Sequence, residues 1–100
     1  MIKHIVVWRL KESAHGNSKV ENARLIKEKF EALNGKIDGM IRLEIGINFN
    51  ETDERSDVVL YSEFKSRTDL ENYQKHPLHQ ALMPFMREAR TERRVVDYDI

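Results

Sequence analysis

The chain opens on a strand with something to bury on both sides. Residues 3–10, Lys-His-Ile-Val-Val-Trp-Arg-Leu, are rich in β-branched side chains and alternate between two faces. His4, Val6, Trp8 and Leu10 share one face; Lys3, Ile5, Val7 and Arg9 share the other. Residues 40–48 alternate as well, with Ile41, Leu43, Ile45 and Ile47 pointing one way. Residues 57–64 set Val58, Leu60 and Phe64 against Val59 and Tyr61. Between the first two strands, Ser18-Lys19-Val20-Glu21 fits a capping box. Val20, Ala23, Ile26, Phe30, Leu33 and Ile37 then recur at spacings of three and four, an amphipathic helix that Gly35 terminates. Ser66 can cap a short helix to about Lys75 carrying Leu70 and Tyr73. Pro77 disfavours helical geometry at His76 and suits the first turn of a further helix, expected to run to about Arg90 with Leu82, Phe85, Met86 and Ala89 inward. Residues 94–100 form the last strand.

Strand, helix, strand, strand, helices, strand is the order of an α+β, ferredoxin-like split βαβ: a four-stranded antiparallel sheet with helices on one face. Residues 1–100 are expected to be one domain, since the chain has no linker, repeat or low-complexity segment. If the helices cover Val6, Trp8, Leu43, Ile45 and Leu60, the other face still shows Ile5, Val7, Val59 and Tyr61, with Val96 and Tyr98 beside them. A patch of that size predicts a partner, and a second copy packed sheet to sheet is the simplest one.

Charge narrows the function classes. Seventeen basic residues balance seventeen acidic ones, so a nucleic-acid partner is not expected. With no cysteine, disulfides, thiolate metal sites and cysteine nucleophiles are excluded. The first strand is too short and too interrupted for a signal peptide or membrane span, so a cytoplasmic protein without a membrane partner is expected. There is no glycine-rich phosphate loop and no nucleophile elbow. His76 and His79 lack a third metal ligand, and no metal or cofactor is expected.

The chemistry-bearing cluster is Tyr73-Gln74-Lys75-His76-Pro77-Leu78-His79. A histidine in the first turn after Pro77 should stay neutral, because the helix N-terminus and burial both oppose imidazolium, giving a pKa below roughly 6.5. Neutral, it can act as a general base. Tyr73 can donate to a carbonyl or enolate oxygen. His4, in phase with Val6 and Trp8, points beneath the helices and can share a pocket with His79. Each residue also has a structural reading: Tyr73 as a core aromatic, His76 as a helix cap, His79 and His4 as core histidines.

The opening Met-Ile-Lys-His-Ile-Val-Val, the turn Gly35-Lys36-Ile37-Asp38-Gly39, the segment Tyr73-x-x-His76-Pro77-x-His79 and the closing Val95-Val96-Asp97-Tyr98 resemble the stress-responsive A/B barrel (Dabb) family over essentially the whole chain. The resemblance implies two ferredoxin-like copies forming a dimeric α/β barrel. Many members have no assigned activity. A plant cyclase branch closes a linear polyketide by a cofactor-free aldol reaction with a tyrosine–histidine pair. The matching positions are Tyr73 and His79 as the catalytic pair and His4 as the pocket histidine; Val6, Trp8 and His76 are further substrate-binding candidates beside them. Val58 stands where that branch has a polar pocket residue, and Trp8 is bulkier than its counterpart. Three readings therefore stand: a homodimer of unassigned activity with a small-molecule pocket, a cofactor-independent lyase, cyclase or isomerase on a small carbonyl compound, and a purely structural stress-related dimer.

Overall fold

The computed structural model describes residues 1–100 and builds its sheet around β1 (Ile2–Leu10). Even-numbered residues of β1 are buried and odd-numbered ones half-buried, which is the two-sided burden read from its sequence. β5 (Val58–Phe64) and β6 (Arg90–Asp99) flank it, and β4 (Met40–Ile47) lies outside β5. The four-stranded sheet has the order β4-β5-β1-β6, and every pairing is antiparallel. This is the ferredoxin-like α+β arrangement. No helix is long and apolar enough to cross a membrane.

Residues 12–17, read as a polar loop, contain a small hairpin, β2 (Ser13–Ala14) with β3 (Asn17–Ser18). Its turn residues His15 and Gly16 both have positive φ, 56° and 74°, the geometry of the tightest hairpins. Ser18 caps α1 (Lys19–Glu31) by accepting from the Glu21 amide at 3.2 Å. Only half of the capping box forms, because the Glu21 carboxylate pairs with Arg24 at 2.5 Å instead. Ala23, Ile26 and Phe30 are the buried stripe. Val20 is 80% exposed, since it precedes the part of the helix that reaches the sheet. Leu33 and Ile37 are buried as expected, but in the turns after the helix has ended.

β4 departs from simple alternation. Met40 faces Phe64 and Arg42 faces Glu63, so Ile41 is an extra residue, a β-bulge, and is exposed. Ile47 is exposed at the strand end, which leaves Leu43 and Ile45 as the buried pair. The free edge of β4 is satisfied by side chains from the α1 region. Asn34 accepts from the Leu43 amide at 2.9 Å and donates to its carbonyl at 2.8 Å. Glu31 accepts from the Ile45 amide at 3.0 Å, and Lys27 donates to the Ile45 carbonyl at 2.8 Å.

α2 (Arg67–Lys75) begins at Ser66, which accepts from the Asp69 amide at 3.1 Å. The single helix expected after Pro77 is two: α3 (Pro77–Gln80) and α4 (Met83–Ala89). Pro84 explains the break, for it has no N–H with which to bond the Gln80 carbonyl. β6 starts at Arg90 rather than Arg94.

The face away from the helices carries Ile5, Val7, Val59, Tyr61, Val96 and Tyr98, which the register sets side by side. At one end of it, Glu63 accepts from Lys3 and from the Tyr61 hydroxyl, each at 2.5 Å, with Arg42 at 3.4 Å. The hydrogen bond from Lys3, then that from Tyr61, holds the Glu63 carboxyl down at about 2, against an ordinary 4.5. Because the folded value is the lower one, this cluster stabilises the fold above about pH 4.5 and loses its contribution as pH falls towards about 2. Melting curves of Glu63→Gln and the native chain should therefore be well separated near neutrality and converge at the acid end. A gap that does not change with pH would contradict this.

Candidate functional site

Leu70 and Tyr73 lie three apart on the inner face of α2, which places the phenol over the sheet. Pro77 then forces His76 out of helical geometry (φ −63°, ψ 137°) and restarts the chain as α3. The restart brings His79 back against Tyr73, with ring centroids 4.5 Å apart and planes at 59°. His4 rises from β1 and meets Phe64 and Tyr73 edge-on, at 6.4 Å and 6.3 Å. Trp8 packs on Phe30 at 5.6 Å.

His4, Val6, Trp8, Tyr73 and His79 line one cavity of about 30 Å³, and Arg90 and Arg93 also border it. Room on that scale suits one ordered water, and anything larger must displace a wall. His76 is not there. Its Nδ1 accepts from the Leu78 amide at 3.0 Å, capping α3, and its ring borders a separate surface hollow with Lys36, Asp38 and Asp69. The expectation that His76 touches a ligand of this cavity is corrected: the proline that recovers His79 commits His76 to the helix end.

The polar groups of the cavity have unequal partners. His79 Nδ1 lies 3.2 Å from the Gln74 carbonyl. A carbonyl only accepts, so Nδ1 carries the hydrogen and Nε2 keeps its lone pair. Burial holds the His79 pKa below its ordinary 6.5; the Gln74 carbonyl works against this, and His4 and Arg93 add to it. α3 is only four residues long and His79 lies in its last turn, so the helix-terminus effect expected from sequence has little dipole to act through. Tyr73 is 1% exposed and its hydroxyl has no hydrogen-bond partner. Burial pushes its pKa well above that of a free phenol. His4 Nδ1 donates to the carboxylate of Asp97, its partner across the β1–β6 ladder. Two neighbouring rings that line the cavity thus carry an unengaged O–H donor, packed out of contact with solvent, and an imidazole with a free lone pair, a combination that can hold a carbonyl oxygen while moving a proton once the hydroxyl is uncovered.

Arg90 and Arg93 are additions that sequence reasoning did not assign to the site, and Asp97, outside the cavity, holds His4 from behind. The signal for Asp97 lay in register: inward His4 pairs with Asp97 just as inward Trp8 pairs with Arg93. No group of three or more histidine, aspartate or glutamate side chains is arranged to hold a metal ion.

The family model for the Stress Responsive A/B Barrel Domain matches residues 2–100. A dimeric protein of unknown function with a ferredoxin-like fold from Bacteroides fragilis is 34% identical and superimposes with a TM-score of 0.86, over 99% of this chain and 95% of that one. A Dabb family protein from Mesorhizobium loti is 20% identical, TM-score 0.74, over 99% and 95% of the two chains. A hydroxynitrile lyase from Passiflora edulis is 18% identical, TM-score 0.80, over 99% and 92%. Comparison with curated proteins finds no match.

Proposed function

The chain belongs to the stress responsive A/B barrel domain family, and on that premise we propose that it is a homodimer whose cavities each act on a small carbonyl compound without a cofactor. In this reading Tyr73 holds the substrate oxygen and His79 moves the proton. The observation that carries it is the Tyr73 hydroxyl, buried and unpartnered beside a neutral imidazole. Leaving such a group unsatisfied costs about 1–3 kcal/mol, which a ligand acceptor would return.

The chemistry is a lyase or cyclase step. His79 Nε2 takes a proton from the carbon next to the carbonyl, and the resulting enolate oxygen receives the Tyr73 hydrogen bond. The enolate carbon then attacks a second carbonyl, whose new alkoxide takes the proton from the imidazolium. Run backwards, the imidazole removes the hydroxyl proton, the carbon–carbon bond breaks, and the departing enolate carbon is reprotonated. The Passiflora lyase supports the reading only in that a lyase uses the same fold. His4, Val6 and Trp8 wall the cavity; at about 30 Å³ it must widen to admit any carbonyl compound, and a short one requires less displacement of the walls than a long polyketide. The homodimer is supported by the apolar sheet face of Ile5, Val7, Val59 and Tyr61, and by the dimeric state of the Bacteroides relative.

Trp8, the sole tryptophan, reports on the cavity. Acetone, cyclohexanone and acetophenone are titrated against its fluorescence. At least one should bind saturably, and Tyr73→Phe should weaken it about tenfold, the worth of one hydrogen bond, without lowering the melting temperature. Equal affinity in the two proteins would remove Tyr73 from the binding step.

A further inference from the structure

The charged lining of the cavity is one-sided. Arg90 and Arg93 border it, and no carboxylate does. In a chain with equal numbers of acidic and basic residues, that imbalance is local. Four other arginines are matched with carboxylates, among them Arg24 with Glu21 and Glu28, Arg42 with Glu44, and Arg94 with Glu92 at 2.6 Å, on the same strand; Arg9, Arg67 and Arg87 are not matched, but none of these three borders the cavity. Arg90 and Arg93 have no such partner. Arg90 is half-buried, and burial together with repulsion from Arg93 and Arg87 makes its charge harder to keep. Guanidinium groups left without a carboxylate, beside a cavity and close to one another, are poised for an anion from outside.

Resting on the carbonyl reading above, we propose that the substrate is an oxo acid, whose carboxylate is held by Arg90 and Arg93 while its carbonyl reaches Tyr73 and His79. The placement follows from the strand. Arg93 pairs with Trp8 on the helix side of β1, and Asp97 is on that side too, but its carboxylate is engaged by His4. The arginines thus add positive charge to a lining that also holds the phenol and imidazole, and Arg93 lies near enough to both rings to act on them. A planar carboxylate suits the guanidinium fork, with two parallel N–H donors to two oxygens. With the carboxylate anchored there, the carbonyl carbon of a short oxo acid is oriented by a second point of attachment, which a simple ketone lacks.

The test compares pyruvate and benzoylformate, each with its methyl ester, by Trp8 fluorescence on the native chain, Arg93→Met, Arg90→Met and Tyr73→Phe. Methionine keeps most of the apolar stem and removes the charge. Each acid should bind the native chain at least tenfold more tightly than its ester. The advantage should shrink with added salt and vanish in Arg93→Met and Arg90→Met, where acid and ester should bind equally within the same variant. Tyr73→Phe should weaken acid and ester alike. Equal affinity of acid and ester would overturn the oxo-acid proposal and leave the carbonyl reading standing. A preference for the acid that survives both arginine changes would also overturn it. Failure of all four compounds to bind, in a native chain that is folded by circular dichroism, would overturn both.

Discussion

Replacing Val59 with lysine is expected to turn the dimer into folded monomers. Val59 sits on β5 opposite Val7 and close above Gly46, on the sheet face that no helix covers. A cation placed there with no partner must be desolvated when the second copy docks. A buried unpaired charge costs about 3–5 kcal/mol, which weakens association by roughly a hundredfold to several thousandfold. The helix side of the sheet, where Val6, Leu60 and Phe30 pack, is untouched. Light scattering should therefore report half the native mass at micromolar concentration, while far-ultraviolet circular dichroism stays native. An unchanged mass would place the interface elsewhere, and a native chain that is already monomeric would remove the dimer altogether.

Exchanging His79 for alanine should stop proton transfer and leave the fold standing. Enolisation can be followed without the natural substrate, as exchange of the methyl protons of pyruvate in heavy water. The native protein should accelerate that exchange, and His79→Ala should lose about a hundredfold to ten-thousandfold, the usual contribution of a positioned base. The acid limb gives a second check. Burial holds the imidazole below its ordinary 6.5, so the native rate should persist below that pH and fall only with a lower midpoint. The ring is half-buried and its removal opens the cavity to solvent rather than leaving a sealed void, so the melting temperature should drop little. A large drop in melting temperature, with exchange unaffected, would make His79 a core histidine.

The elements of this fold that are local in origin were legible from sequence. Ser18 and Ser66 announce their helices because a cap is a contact between residues three apart. The two faces of β1 follow from alternation alone. What was hidden depends on partners distant in the chain. The bulge at Ile41 exists only against Glu63 and Phe64, and the last strand is too charged to show a period, so Asp97 and Arg93 were found only through pairing with β1. Within the site, Tyr73, His79 and His4 were chosen from residue type and spacing, and the structure brings them to one cavity. His76 was chosen on the same grounds and lies outside it, because spacing across a proline says little about direction. Pro84 is a local signal of the same kind, and it divides the helix that follows His79.

The side chains that stand along β4 in place of a neighbouring strand limit how far self-association can go. The amides and carbonyls of Leu43 and Ile45 are already engaged by Asn34, Glu31 and Lys27, so no incoming chain can extend the sheet there. At the opposite edge, β6 carries six charged residues in ten, whose desolvation makes an added strand costly. Growth by edge addition has no natural end, whereas stacking two apolar faces about a two-fold axis consumes the available surface once. A chain built this way is open to pairing and closed to fibres, even when its concentration rises.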